Sequence, residues 1–148
     1  MATVKQIMNT KSAGANYTVA GTDTVLKALE LMAENNISAV MVTEGEKIVG
    51  IFTERDYSRK GELKGRSAKD TLVQDLMTEQ MFTVTPATSM DHCMGLMQQH
   101  RIRHLPVVEN EKMIGMVSMR DVVAVMMAER ESTIKGLENY ILGSGFAT

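Results

Sequence analysis

The chain contains one segment twice. Residues 22–56 recur, without a gap, 65 positions later at 87–121. The clearest match joins residues 50–56 (Gly-Ile-Phe-Thr-Glu-Arg-Asp) to residues 115–121 (Gly-Met-Val-Ser-Met-Arg-Asp). A repeat of this length is one supersecondary unit, so its duplication predicts two structurally equivalent halves. Whatever chemistry the block at 53–56 supports is therefore expected twice.

Each repeat has the pattern of a strand, a helix, two strands and a second helix. The β-prone runs are 17–19, 38–42 and 47–52 in the first repeat, and 82–84, 105–108 and 112–117 in the second. Apolar residues at helical spacing follow the first run of each repeat, after candidate N-caps at 22–24 and 88–89. Gly45 and Asn110 are equivalent turn residues, and both types tolerate the positive φ of a tight hairpin. The last helix of each repeat is predicted to begin at Thr53 or Ser118.

These elements predict an α+β fold of two β-α-β-β-α units. One unit alone is too small to bury both faces of its sheet, so the units are expected to pack around a pseudo-twofold axis. Residues 1–71 comprise the first unit with a lead-in and a connector, and residues 72–128 comprise the second. The lead-ins at 4–8 and 73–77 resemble each other at a spacing of 69, so the first copy has four extra residues around 12–16.

Two segments lie outside the duplicated pattern. The connector at 57–71 is polar and basic with two glycines, which predicts an exposed loop. The tail at 129–148 has no counterpart in the first repeat. A short apolar helical face, ending at the Gly-Ser-Gly of 143–145, is expected there from Ile134, Leu137, Tyr140 and Ile141.

Composition argues against several classes of protein. The formal net charge of −2 disfavours a chain that coats nucleic acid. The single cysteine, Cys93, excludes an intramolecular disulfide and fits a reducing compartment. The apolar run at 122–128 is too short to span a bilayer, and the first residues have no run typical of a signal peptide. A cytoplasmic protein without a membrane segment is expected.

The blocks at 53–56 and 118–121 allow two interpretations. A Ser or Thr followed three residues later by an acidic residue, directly after a strand, is typical of a capping box and needs no ligand. Asp is shorter than the Glu or Gln that this box prefers, and an Arg precedes the Asp in both copies. A helix start with a hydroxyl, backbone N–H groups and an Arg suits a phosphate, while the carboxylate suits vicinal ribose hydroxyls. This second interpretation predicts nucleotide-binding clefts between the repeats.

With these motifs the chain resembles the CBS-domain pair, or Bateman module, over roughly residues 3–128. The landmarks are the Gly-h-h-Thr/Ser-x-x-Asp motif (h apolar) at 50–56 and 115–121, and Arg-His-Leu-Pro-Val-Val at 103–108. The resemblance implies a stand-alone, non-catalytic signal-transduction protein that binds AMP, ADP, ATP or NAD(H). S-adenosylmethionine is less favoured, because Arg55, Arg103 and Arg120 suit phosphate. Family members commonly form homodimers, and this chain would signal to a protein effector in trans.

The resemblance also assigns roles to individual residues. Asp56 and Asp121 would bind ribose. Phosphate or ribose would be bound by Thr53, Ser118, Arg55, Arg120, Arg103 and His104. The candidate walls of the clefts come from both repeats and are Tyr17, Thr18, Val19, Ile37, Ser38, Ala39, Ile51, Thr83, Val84, Thr85, Ile102, Leu105, Pro106 and Met116. Residues 38–41 are Ser-Ala-Val-Met where residues 103–106 are Arg-His-Leu-Pro, so both clefts are expected to bind but to differ in affinity or ligand.

Two other functions remain open from the sequence. The clefts could be vestigial, with motifs that only cap helices in a protein-interaction or assembly module. The connector could bind nucleic acid, although a solvated basic loop is the simpler account of its charges. Its basic residues are Arg59, Lys60, Lys64, Arg66 and Lys69.

Neither a metal site nor a catalytic site is expected. The residues that invite such an interpretation are His92, Cys93, His100 and His104. They lack the compact spacing of metal ligands, and no Ser-His-acid constellation can be assigned. Cys93 aligns with Ala28 on an apolar helix face, which favours a small core residue.

Overall fold

The structure, a computed structural model, describes residues 2–10 and 17–141. The helices and hairpins of both repeats follow the predicted order. The first half contains α1 (Val4–Thr10), β1 (Thr18–Ala20), α2 (Val25–Asn35), β2 (Ala39–Glu44), β3 (Lys47–Thr53) and the short helix α3 (Glu54–Asp56). The second half contains α4 (Val73–Leu76), α5 (Met90–His100), β4 (His104–Glu109), β5 (Lys112–Ser118) and α6 (Met119–Ile141). The predicted α+β class and the duplicated architecture are therefore confirmed.

The two sheets differ in one strand. In the first repeat β1 pairs in parallel with β2, which pairs antiparallel with β3, whereas the second repeat has β4 and β5 alone. The strand predicted at 82–84 is reduced to one parallel bridge between Val84 and Val107. The backbone N–H of Met41 donates to the Tyr17 carbonyl at 3.2 Å. Pro106, at the position equivalent to Met41, has no N–H, so the corresponding bond cannot form.

Turn and cap residues act as the sequence predicts. Gly45 has a φ of +63° and Asn110 a φ of +54°, as expected for hairpin turns. The hydroxyl of Thr24 accepts from the N–H of Lys27 at 3.2 Å, which caps α2. The hydroxyl of Ser89 accepts from the N–H of His92 at 3.1 Å, which caps α5. These caps fix the start of the two helices that cover the sheets.

The lead-ins are exchanged between the two cores. Val73 and Leu76 of the second lead-in lie in the first core with Phe52, while Val4 and Ile7 of the first lead-in lie in the second core with Cys93. Backbone bonds accompany this packing, since the N–H of residue 73 donates to the carbonyl of residue 23 and that of residue 4 to the carbonyl of residue 88. The location of Cys93 confirms that it is a core residue. Each repeat therefore depends on a segment that precedes the other.

The connector is largely exposed, as its composition predicts, but residues 57–64 form helical turns instead of a loop. Residues Tyr57–Gly61 form a π-helical turn, followed by a 3₁₀ turn at Glu62–Lys64. Tyr57 packs against the first core, and Gly61 and Thr71 are buried. The polar side chains that suggested a loop face outward, while the buried positions anchor the segment.

The last helix continues well beyond the second repeat. It includes the predicted apolar residues Ile134, Leu137, Tyr140 and Ile141, all of which are exposed. The predicted end at 143–145 and the extra residues at 12–16 lie outside the described residues. Across the ranges that the structure describes, no helix is long and apolar enough to cross a membrane.

Candidate functional site

In the described part of the chain, two clefts lie between the repeats. The larger cleft has a volume of about 550 Å³ and the smaller cleft one of about 290 Å³. Each cleft combines the helix start of one repeat with strand and loop residues of the other. Both therefore depend on how the two repeats pack together.

The larger cleft is built around the start of α6. Ser118, Arg120 and Asp121 line it from the second repeat. The N–H of Ser118 donates to Asp121 Oδ2 at 2.9 Å, and the N–H of Asp121 donates to the Ser118 hydroxyl at 3.1 Å. Apolar and small side chains complete the wall, and they include Ile37, Ala39, Met41, Met113 and Met116.

The smaller cleft is built around the start of α3. The N–H of Thr53 donates to Asp56 Oδ2 at 3.0 Å, and the N–H of Asp56 donates to the Thr53 hydroxyl at 3.0 Å. The Arg55 guanidinium lies beside the loop from the other repeat and donates to the Arg101 carbonyl at 3.4 Å. Other lining residues are Ile51, Thr78, Gln80, Met81, Phe82, Ile102 and Pro106.

Reciprocal hydrogen bonds of a capping box form at both motifs. Although Asp is shorter than the Glu or Gln that this box prefers, both carboxylates accept from the N–H of the preceding hydroxyl residue. The short α3 and the long α6 thus begin in the same way. If these residues bind a ligand, they do so through the oxygen lone pairs that the capping bonds do not use.

Asp56 has further partners that the sequence does not reveal. The Thr78 hydroxyl donates to Asp56 Oδ1 at 3.0 Å, and the Lys60 ammonium lies 3.1 Å from the same oxygen. The same ammonium donates to the Leu76 carbonyl and to the Thr78 hydroxyl, both at 3.2 Å. We call Lys60, Asp56, Thr78 and the Leu76 carbonyl the Asp56 network.

Three residues at the centre line both clefts. Ser38, Arg103 and His104 contribute to each, and the Ser38 hydroxyl lies 3.4 Å from His104 Nε2 across the two repeats. Arg103 aligns with Ser38 at the repeat spacing of 65, so the two residues occupy equivalent positions on opposite sides of the pseudo-twofold axis. A charged ligand group in either cleft would lie close to the same guanidinium and imidazole.

The predicted walls are placed only in part as expected. Tyr17, Ile37, Ser38, Ala39 and Met116 line the larger cleft, and Ile51, Ile102 and Pro106 line the smaller one. Val19, Val84 and Leu105 instead pack in the cores, because alternate side chains along an extended segment point to opposite faces. Thr18, Thr83 and Thr85 are exposed and do not line either cleft.

Several lining residues were missed. Phe82 and Arg101 line the smaller cleft at the positions equivalent to Tyr17 and Asn36, which line the larger one. Applying the repeat spacing of 65 to the predicted Tyr17 would have found Phe82, whereas neither Asn36 nor Arg101 was among the predicted walls. The Phe82 ring stacks on His100 with 3.6 Å between centroids. The repeat spacing of 65 does not identify Thr78, because the two lead-ins are related by a spacing of 69.

The Cys93 thiol is buried in the second core. Burial raises the pKa of the Cys93 thiol, which disfavours the reactive thiolate. Among the described residues, no group of three or more His, Cys, Asp or Glu side chains is placed to hold a metal ion.

Comparison with known proteins identifies close relatives. A model of the CBS domain matches residues 4–61 and 73–128. The chain is 42% identical to the mitochondrial CBS domain-containing protein CBSX3 of Arabidopsis thaliana, over 95% of this chain and 72% of that protein. It is 32% identical to the CBS domain-containing protein YhcV of Bacillus subtilis, over 94% and 95% of the two chains. A solved CBS-domain protein of Burkholderia ambifaria, assigned to signal transduction, superposes with a TM-score of 0.83 at 46% identity, over 86% and 95% of the chains.

Proposed function

This chain belongs to the CBS-domain family, and we propose that it is a non-catalytic regulatory protein that binds an adenine nucleotide or dinucleotide between its two CBS repeats. One observation carries the proposal. A capped hydroxyl–Arg–Asp motif of one repeat faces polar and apolar residues of the other across each cleft. A ligand seated there touches both repeats, so its binding energy depends on their relative position.

The lining side chains suit the three parts of a nucleotide, which are ribose, phosphate and adenine. Asp121 and Asp56 would accept hydrogen bonds from ribose hydroxyls. Arg120, Arg103 and His104 would bind phosphate in the larger cleft, with Ser118 contacting phosphate or ribose. The apolar residues of that wall would hold the adenine. Its volume of about 550 Å³ lies within the usual range for small-molecule sites.

Phosphate-containing ligands suit this chain better than S-adenosylmethionine. The CBS domain pair of protein MJ0100 has been solved with 5′-methylthioadenosine and S-adenosyl-L-methionine, and it shares the fold at 22% identity with a TM-score of 0.73. At that identity the likeness concerns the fold, so the ligand proposed here rests on this chain's own side chains. The guanidinium groups in both clefts favour AMP, ADP, ATP or NAD(H).

Ligand binding would act through association with other proteins. A nucleotide that bridges the repeats would shift their packing, and a protein effector would bind one arrangement in preference to the other. We propose that the chain works as a homodimer in a reducing compartment such as the cytoplasm. The exposed apolar residues of α6 are available for such contacts.

The test is nucleotide binding by wild-type protein and by variants that keep the helix caps. Asp121→Asn and Asp56→Asn retain a side-chain oxygen that can accept from the N–H of the N-cap residue, whereas an Ala variant would lose that bond as well. AMP or NAD should raise the melting temperature of wild-type protein by mass action, and calorimetry should show weaker binding in each variant. Ser89→Ala, which removes a cap remote from the clefts, is the matched control and should bind normally. Unchanged nucleotide binding in the Asp56→Asn, Asp121→Asn double variant would refute the ribose assignment.

A second candidate function is an assembly module with vestigial clefts. It is favoured by the capping boxes, which account for both motifs without a ligand, and by exposed apolar residues on α6. These are Val123, Met127, Ile134, Leu137, Tyr140 and Ile141. A stable oligomer or protein partner, with no adenosine compound released from natively purified protein, would support this function. The nucleic-acid alternative is weakened, because Lys60 is engaged in the Asp56 network and Arg66 lies 3.6 Å from Asp75.

A further inference from the structure

In the smaller cleft, the Asp56 carboxylate already has three hydrogen-bond donors within the protein. We propose that Lys60 and Thr78 decide how well the smaller cleft binds ribose, by competing with the sugar hydroxyls for the Asp56 carboxylate. This inference rests on the proposed function and adds specificity-determining residues to it. Both residues lie outside the duplicated segment.

The hydrogen-bond capacity of Asp56 can be counted. An ionised carboxylate has about four acceptor positions, two on each oxygen. Within the described residues, Oδ1 accepts from Thr78 and Lys60, and Oδ2 accepts from the N–H of Thr53. One position remains, whereas a vicinal diol brings two hydroxyl donors. A ribose can therefore bond Asp56 through one hydroxyl and gains the second bond only by displacing Thr78 or Lys60.

The competing donors are themselves held in place. The Lys60 ammonium has three N–H donors, and the described structure gives it three acceptors: Asp56 Oδ1, the Leu76 carbonyl and the Thr78 hydroxyl. Thr78 is fixed by its backbone, whose N–H and carbonyl bond Ile51 at 2.8 and 2.9 Å. The Asp56 side chain is only 10% exposed, so water does not readily replace these partners.

The two positions that align with Lys60 and Thr78 hold different side chains. Val125 stands at the position equivalent to Lys60 at the repeat spacing of 65, and it has no charge. Asn9 stands at the position equivalent to Thr78 at the lead-in spacing of 69, and its side chain is exposed. Lys60 and Thr78 are therefore residues particular to the first motif at these two aligned positions.

The experiment compares AMP with 2′-deoxy-AMP by calorimetry. Both nucleotides carry the same phosphate, so the ratio of their dissociation constants cancels the general effect of a lost charge. All variants carry Asp121→Asn to weaken ribose binding in the larger cleft. In this background the ratio should be close to one, because Asp56 accepts only one further hydroxyl. Thr78→Val and Lys60→Met should each raise the preference for AMP by about threefold to tenfold, the equilibrium factor of one hydrogen bond.

Two controls locate the effect. Lys64→Met removes the same charge from an exposed residue of the same segment and should leave the ratio unchanged. Adding Asp56→Asn should abolish the gain from Lys60→Met, which ties the gain to the smaller cleft. An unchanged ratio in both Thr78→Val and Lys60→Met, with nucleotide still bound by wild-type protein, would overturn this inference alone. Failure of wild-type protein to bind any adenine nucleotide would overturn the proposed function and this inference with it.

Discussion

Gly50 is the position where adding a single methyl group tests the packing most directly. A Cβ built on Gly50 lies 2.6 Å from Met77 Sδ and 3.0 Å from the Thr78 carbonyl oxygen. The methionine side chain can move aside at small cost. The carbonyl cannot move alone, because it accepts from the Ile51 N–H at 2.9 Å and the Thr78 N–H returns a bond at 2.8 Å. Gly50→Ala should therefore push the lead-in away from β3.

The expected cost follows from two opposing effects. Overpacking by one methyl group costs about 1–3 kcal/mol when the neighbours are held. Replacing glycine restricts the unfolded chain and returns about 0.4–1 kcal/mol. At the middle of both ranges the net loss in the free energy of unfolding is about 1.3 kcal/mol, which lowers the melting temperature of a chain of this size by about 3–5 °C.

Urea denaturation and calorimetry would measure this loss, with Gly95→Ala as the matched control. Gly95 lies inside α5, and a Cβ there meets no heavy atom within 4 Å. The same substitution should therefore raise the free energy of unfolding by about 0.5–1 kcal/mol, the usual gain of Ala over Gly in a helix. If Gly50→Ala were as stable as wild-type protein, the argument that the Thr78 carbonyl is fixed would be wrong.

Three further predictions concern caps, the thiol and acid stability. Thr24→Ala and Ser89→Ala should each lower the free energy of unfolding by about 0.5–2 kcal/mol in urea titrations, since each removes an N-cap bond. Cys93 should resist iodoacetamide in native protein at neutral pH and react fully in urea, because burial raises its pKa; rapid native labelling would contradict this. The Ala20 N–H lowers the pKa of Asp23, so Asp23 stabilises the fold above its unfolded pKa and this contribution disappears as pH falls through its folded pKa. When the melting temperature is measured as a function of pH, it should therefore decrease less on acidification in Asp23→Asn than in wild-type protein.

The sequence predicted the elements that the repeat contains. The spacing of apolar residues predicted the helices, and the turn residues predicted the hairpins. Both signals are local in the chain and are present in both copies. Thr24 and Ser89 capped the helices as expected, and Gly45 and Asn110 adopted positive φ. These features depend on neighbouring residues, so either copy alone would have shown them.

Features formed by distant segments could not be predicted in this way. The connector was expected to be a loop because its surface residues are charged, yet it is held by Tyr57 and Gly61, which carry no periodic signal. The exchange of lead-ins was also missed. A pattern of apolar residues at 73–77 shows that the segment packs, but it does not identify which of two similar cores receives it.

The exchange of lead-ins gives Asp56 a partner from the segment that precedes the second repeat. The second lead-in packs on the first core and pairs with Ile51, and this brings the Thr78 hydroxyl to the Asp56 carboxylate. Gly50 permits the approach because it has no Cβ. Gly50→Ala should therefore also weaken the Asp56 network and raise the preference of the smaller cleft for AMP over 2′-deoxy-AMP in the Asp121→Asn background. A destabilised Gly50→Ala variant with an unchanged preference would separate the packing of the lead-in from its effect on the carboxylate.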